Sequence, residues 1–359
     1  MLIVRKLGLF VALSLLTGQS TFALPDLTKK FYLSLAKSSL PPSFFRHARW
    51  VTQDHENRDL PKLDEPMSME EFNKAFPPIS HERAVEIYYI VGVTQMLLAD
   101  NHIPMVPIGG TLLGMLRNQG LLPHDDDADF AVLEGHLKDI LALQPFFKKY
   151  GLSLRKVPGL SLQVYLSESH ESVPKLGKRV VKNLAHSHMP RFVKEVELTK
   201  HGFIDLMAVR YHEDVNAYRY SQELSEEIWW HETLSPELFA RHGYQQHRFG
   251  PLLLSGAPFE LCRDAILESY PDSLTHAMRT VDHRAGMAPE PLLVPLTDEQ
   301  KQPFPLNTSD RRSFEQRLSS VGLMLGEEGK VRRLSPKLPF RTVQAEHREH
   351  AASDEKSSL

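Results

Sequence analysis

The sequence predicts a mixed α/β domain, and three observations carry that expectation. A helix-like run that starts at Ser80 is broken by NHIPMVPIGG at 101–110. Amphipathic and β-branched segments then alternate as far as about residue 212. Between them lies a cluster, Asp125-Asp126-Asp127-Ala128-Asp129, at the start of a strand-like run. Ser80 is a good N-cap, and Glu82 sits in the first turn, where the helix dipole favours an acid. Ala84, Ile87, Tyr88, Val91 and Leu98 fall on one face of a helix of about five turns. The break leaves a short apolar segment ending at Gly109 and Gly110, and TLLGMLRNQG forms a short helix after the glycines. Phe130 and Val132 indicate a strand from Ala128 that carries the aspartates at its start, and GHLKDILALQPFFKKYG is a further amphipathic helix. LSLQVYLS and GFIDLMAVRYH have the composition of strands and are separated by the basic segment PKLGKRVVKNLAHSHMPRFVK. RFGPLLLSGAP is a strand and turn leading to the helix FELCRDAILESY, with Phe259, Cys262 and Ile266 on one face.

Around this unit the chain changes character. MLIVRKLGLFVALSLLTGQSTFALP sets Arg5 and Lys6 ahead of an apolar run and a small-residue pattern ending at Ala23. Residues 1–23 therefore read as a signal peptide or signal-anchor of an exported protein (secreted, periplasmic or Golgi-lumen type). Membrane contact is expected only through that segment, if it is uncleaved. Residues 24–79 are an extended lead-in, 80–285 the catalytic or binding unit, and 286–359 a proline-rich and charged extension that is partly disordered. A net charge of -3 gives no electrostatic reason to expect nucleic acid as a partner. Cys262 is the only cysteine, which excludes an intramolecular disulfide.

If Asp125, Asp127 and Asp129 lie on extended backbone, all three side chains share one face and Asp126 takes the other. Same-face neighbours about 6 to 7 Å apart repel by roughly 2 to 3 kcal/mol at an effective dielectric near 20. A divalent cation or a raised pKa relieves that repulsion, unless the segment is fully solvated. Carboxylate oxygens select magnesium, manganese or calcium. An EF-hand loop would need glycine where Phe130 stands and glutamate where His136 stands; a Walker loop would need lysine in place of Met115. What remains is a glycine turn that brings backbone N–H groups to a phosphate while aspartates on the next strand hold magnesium against it. Arg117 on the same short helix is a natural partner for a phosphate oxygen, and Asp205 within the apolar IDLM run costs several kcal/mol to bury unless paired or metal-bound.

GGTLLG with Arg117, Gly120, Pro123, Asp125-Asp126-Asp127 and Asp129 resembles, in order and spacing, the GGTLLGxxRxxGxxPWDDDxD signature of the LicD and fukutin-related family. The resemblance implies a nucleotidyltransferase-like mixed sheet flanked by helices, and a transferase that moves phosphocholine, ribitol phosphate or a similar phosphorylated alcohol from a CDP-linked donor to a glycan or glycolipid hydroxyl. By position, Asp127 and Asp129 would bind Mg2+ (or Mn2+), Asp125 would support or share it, and Asp205 would complete the site and assist deprotonation of the acceptor. Gly109, Gly110 and Thr111 would hold donor phosphates, with Arg117 neutralising developing charge. His124 departs from the family's tryptophan, Asn118 and Gln119 from a more basic pair, and Tyr270-Pro271 from its closing Tyr-Gly. Two other readings stay open: a sugar-nucleotide glycosyltransferase using Asp127-Ala128-Asp129, and an inactive exported binding protein of the same fold. His186 and His188 have an H-x-H spacing, and Lys175, Lys178, Arg179 and Lys182 form a basic insert.

Overall fold

A computed structural model describes residues 62–157, 159–169, 201–222, 225–226, 232–240, 243–282 and 286–334. The segment at 1–23 and the basic insert at 174–194, with its lysines and histidines, lie outside the described residues. Ser68 opens a short helix, α1 (Met69–Ala75), through a reciprocal cap with Glu71, and Pro77 and Pro78 follow its end. Ser80 caps α2 (His81–Asp100) by accepting from the Arg83 N–H at 3.2 Å. The apolar stripe expected on α2 is buried, but so are Val85, Tyr89, Ile90, Val93 and Leu97 on its other sides. A helix apolar nearly all round is one enclosed on every side, and α2 is the axle of the fold.

Beside it lies a mixed six-stranded sheet. In chain order its strands are β1 (Val106–Pro107), β2 (Ala128–Leu133), β3 (Leu152–Val157), β4 (Ser161–Leu166), β5 (Phe203–His212) and β6 (Ala217–Tyr220). Across the sheet they run β1-β2-β5-β4-β3, with β6 on β5. Only β2 and β5 pair in parallel; the other pairings in this sheet are antiparallel. Pro107 is tolerated because β1 is an edge. α2 packs against β4 and β5, and Gly202, just before β5, has no room for a β-carbon beside Ile87. The even-numbered residues of β5 thus face α2, and Asp205 faces the other way.

That other face is covered by α3 (Gly109–Leu113), which packs on β2 and runs into one wide π turn, Gly114–Asn118. The expected helix 135–151 is instead two short ones, α4 (Leu137–Ala142) and α5 (Gln144–Lys149). Pro145 in the first turn of the second, lacking an N–H, sets the break. A hairpin follows, β7 (Gln245–Phe249) with β8 (Leu252–Gly256), and then α6 (Phe259–Ser269), which rests on α3. Cys262 and Ile266 are buried as expected, whereas Phe259 is 42% exposed, because it stands at the first helical position, ahead of the face that meets the core. Gly250 between β7 and β8 has φ +61, and the Tyr88 ring fills the place of its missing β-carbon while the Tyr88 hydroxyl accepts from Leu121 N–H at 3.0 Å.

The core does not end at residue 285. β9 (His276–Asp282) and β10 (Gly286–Pro295) form a hairpin, and a small second core of Phe72, Phe76, Ala277, Val294 and Leu296 joins it to α1. Asn307 and Asp310 cap α7 (Thr308–Ser320) reciprocally; α7 packs along α2, and the hairpin β11 (Leu323–Leu325) with β12 (Val331–Arg333) closes behind it. Phe304, Phe314, Leu318, Leu323 and Val331 belong to the same main core as α2. The proline content read from the sequence as an extension therefore conceals a wall of the domain.

Candidate active site

The glycine turn and the aspartates meet where β1 passes into α3. Ile108 is extended and its N–H donates to Asp129 O at 3.1 Å, and Gly109 then turns the chain with φ +51. Any β-carbon on Gly110 would collide with the Asp125 carboxylate. The Thr111 hydroxyl, buried, accepts from Asp129 N–H at 2.7 Å. In this arrangement the three residues expected to cradle phosphate first of all seat two acids. Gly110→Ala is expected to push the Asp125 carboxylate out of place at little cost to the fold, because only the end of one side chain has to yield; thermal melting with and without Mn2+ measures both effects.

The aspartates do not all lie on a strand, as the alternation argument requires. β2 begins only at Ala128, and the chain before it is curled by a turn at Pro123 and His124, closed by Asp125 N–H donating to Leu122 O at 3.1 Å. Two groups of carboxylates result, each offering three oxygens within 4.8 Å of one another: Asp125, Asp126 and Asp127, and Asp127, Asp129 and Asp205. Asp127 is common to both. Asp126, expected to point away, does meet Arg83 at 3.0 Å, yet it also brings an oxygen into the first group. Asp125 falls in that first group and not with Asp129 and Asp205.

Asp205 reaches the site by register. The parallel pairing sets it directly opposite Asp129, and the antiparallel pairing on its other side sets it opposite Gln163, itself opposite Arg155. One cross-strand row therefore reads Arg155, Gln163, Asp205, Asp129 on a single face. Asp205 Oδ1 accepts from Ser161 Oγ at 2.8 Å and, more loosely, from Gln163 Nε2 at 3.4 Å. Burial pushes its pKa up to about 6, against the opposing pull of Ser161, the Arg155 guanidinium and Gln163. Burial likewise raises the Asp127 carboxyl well above its ordinary range, with Asp129, Asp126, Asp125 and Asp205 adding repulsion. Ser161, Gln163 and Arg155 were not among the residues expected from sequence; the i, i+2 polar pair Ser161 and Gln163 within the apolar SLQVYL strand was the available signal.

Arg117, expected at a phosphate, holds the scaffold together. Its Nη1 donates to Ser273 O at 2.7 Å and His276 O at 3.0 Å, its Nε to Asn118 Oδ1 at 2.8 Å, and burial lowers its pKa to about 10. It ties the π turn to the loop between α6 and β9. A second buried group lies alongside: Glu232 accepts from Tyr220 at 2.8 Å and from Tyr270 at 2.7 Å. Burial, Glu232, Tyr270 and Asp129 together raise the Tyr220 phenol well above its usual value. No pattern in the sequence marks Glu232. His124 packs on Phe76 with ring centroids 5.2 Å apart, so α1 walls the acidic loop.

A mixed sheet whose parallel strand pair carries facing aspartates, beneath a glycine turn that opens a short helix, defines an α+β protein with a carboxylate centre able to hold a metal ion. Residues 102–172 match the family model described as LicD/FKTN/FKRP, nucleotidyltransferase domain. Over that segment the chain is similar to the LicD family, a phosphotransferase-type family. The match includes the glycine turn, the acidic loop, Arg155, Ser161 and Gln163, and it stops before Asp205. The chain is also similar to an uncharacterized protein of Rickettsia typhi, 38% identical over 80 residues, and to one of Rickettsia prowazekii, 38% identical over 79 residues. Each alignment covers 21% of this chain, which spans only 25% and 29% of the length of those relatives.

Proposed function

We propose that this protein transfers a phosphorylated alcohol, such as phosphocholine or ribitol phosphate, from a CDP-linked donor to a hydroxyl of a glycan or glycolipid, using Mg2+ or Mn2+. The observation that carries the proposal is Asp127, shared by two groups of three carboxylates within the family-matched segment or paired directly to it. Oxygens facing each other across a hard divalent ion lie at about twice a metal–oxygen distance of 2.0–2.6 Å, so the donor set fits such an ion in kind and spacing. Asp127, Asp129 and Asp205 would hold it, with Asp125 in support. A cation bound there supplies charge stabilisation for the oxygens of the transferred phosphoryl group.

The chain's own residues supply the rest. Gly110 leaves room for the Asp125 carboxylate, and Gly109 turns the chain beside Asp129. Asp205, whose pKa burial pushes up to about 6, would complete the site and assist deprotonation of the attacking hydroxyl. Arg117 is assigned to holding the π turn in place. The reading includes export through residues 1–23, with membrane contact limited to that segment, and a catalytic unit that continues through the folded residues 286–334. The test is thermal melting of the full chain with CDP-choline, CDP-ribitol and UDP-sugars, each with and without Mn2+. A CDP conjugate is expected to raise Tm only when the cation is present. Stabilisation by UDP-sugars alone would favour glycosyl transfer, and no nucleotide effect at all would sink the enzymatic reading.

A further inference from the structure

The acids are fixed in place by a polar row that ends in a base. Arg155 on β3, Gln163 on β4, Asp205 on β5 and Asp129 on β2 are mutual register partners, so their side chains stand side by side on one face of the sheet. Arg155 Nη2 donates to Gln163 Oε1, and Gln163 Nε2 faces Asp205 Oδ1 at 3.4 Å. A carboxamide has one accepting end and one donating end, whereas a guanidinium only donates. Arg155 therefore captures the oxygen of Gln163 and turns the amide N–H2 toward Asp205. With the amide reversed, its oxygen would oppose the carboxylate. Ser161 Oγ donates to the same Oδ1 at 2.8 Å, which leaves Oδ2 as the oxygen available to a cation. The guanidinium is itself held over the Tyr165 ring, 5.1 Å from the centroid, and Tyr165 is two residues from Gln163 on the same face.

We propose that Arg155 is a positioning residue of the acidic site: acting through Gln163, it fixes which oxygen of Asp205 is presented beside Asp127 and Asp129. The proposal rests on the cation-dependent reading above and concerns residues that no metal would touch. Partners one layer removed from a metal ligand change metal affinity by about 10–100-fold when lost. A merely structural Arg155–Gln163 pair across the last two strands of the sheet would change melting and leave affinity alone.

The experiment is titration of the full chain with Mn2+, following free Mn2+ by electron paramagnetic resonance, together with melting in EDTA. Gln163→Leu is expected to weaken Mn2+ binding about 10-fold or more, Arg155→Met to weaken it by no more than that, and the double variant to be no worse than Gln163→Leu alone. Arg155→Lys, which still donates to Gln163 Oε1, should recover part of the affinity. Wild-type affinity in Arg155→Met, or losses that simply add in the double variant, would overturn the proposal while leaving the cation site intact. A wild-type chain that binds no Mn2+ would overturn the cation-dependent reading itself, and this proposal with it.

Discussion

Asp127→Asn is expected to abolish cation-dependent transfer and, at the same time, to make the cation-free protein more stable. Asp127 is the one acid belonging to both carboxylate groups, so its loss leaves neither with three carboxylates. Activity should fall by about 10²–10³-fold, the scale on which a single charge-stabilising group contributes. Stability should move the opposite way. The folded protein holds this carboxyl well above its ordinary pKa, first by burial and then by the nearness of Asp129, Asp126, Asp125 and Asp205. Two charges about 5 Å apart at a dielectric near 20 repel by roughly 3 kcal/mol. Water reaching these half-buried groups reduces the net gain to about 1–2 kcal/mol. Initial rates with Mn2+ and melting in EDTA measure the two effects. A variant that keeps its activity, or one that melts lower than the wild type in EDTA, contradicts the shared-acid assignment.

The second large effect is in pH. Asp205 titrates near 6 in the folded protein against 3.8 for an unperturbed aspartate, and Asp127 is shifted in the same direction. For an acid whose folded pKa is raised, the stabilising contribution is complete below the unfolded value and is lost as the pH rises through the folded value. In EDTA the site therefore costs stability progressively from about pH 4 to pH 6 and beyond. A cation reverses this by taking the place of the protons, so Mn2+ should raise Tm strongly at pH 7.5 and weakly at pH 5, where protons compete for the same oxygens. Melting at pH 5, 6, 7 and 8, with Mn2+ and with EDTA, gives the comparison. Equal cation stabilisation at pH 5 and pH 8 would mean that these carboxylates are not its ligands.

Much of this site is legible in the sequence because its cues are local. Ser80 caps a helix through its own hydroxyl, the paired glycines mark a turn, and a lone acid in IDLM announces a buried charge. What escapes is set by contacts far along the chain. The face taken by Asp125 to Asp127 depends on the curl at Pro123, which alternation along an extended strand ignores. Arg117 has the spacing of a phosphate ligand, but the carbonyls at Ser273 and His276 determine where it points. Glu232 gains its meaning only from Tyr220 and Tyr270. Likewise, the proline-rich stretch after 285 hides apolar positions whose partners lie on α2, some two hundred residues earlier.

The parallel pairing of β2 with β5 also gives the site an order of birth. Asp129 leaves the ribosome well before Asp205, and β3 and β4 must be made in between. Until Phe203–His212 takes its place beside Ala128–Leu133, the early aspartates stand on an unfinished sheet, without the carboxylate of Asp205 beside them. A slip of one residue in that late docking would turn Asp205 to the α2 side and bring Ile204 or Leu206 to face the acids. The group of Asp127, Asp129 and Asp205 is therefore complete only in chains whose last central strand has docked in register.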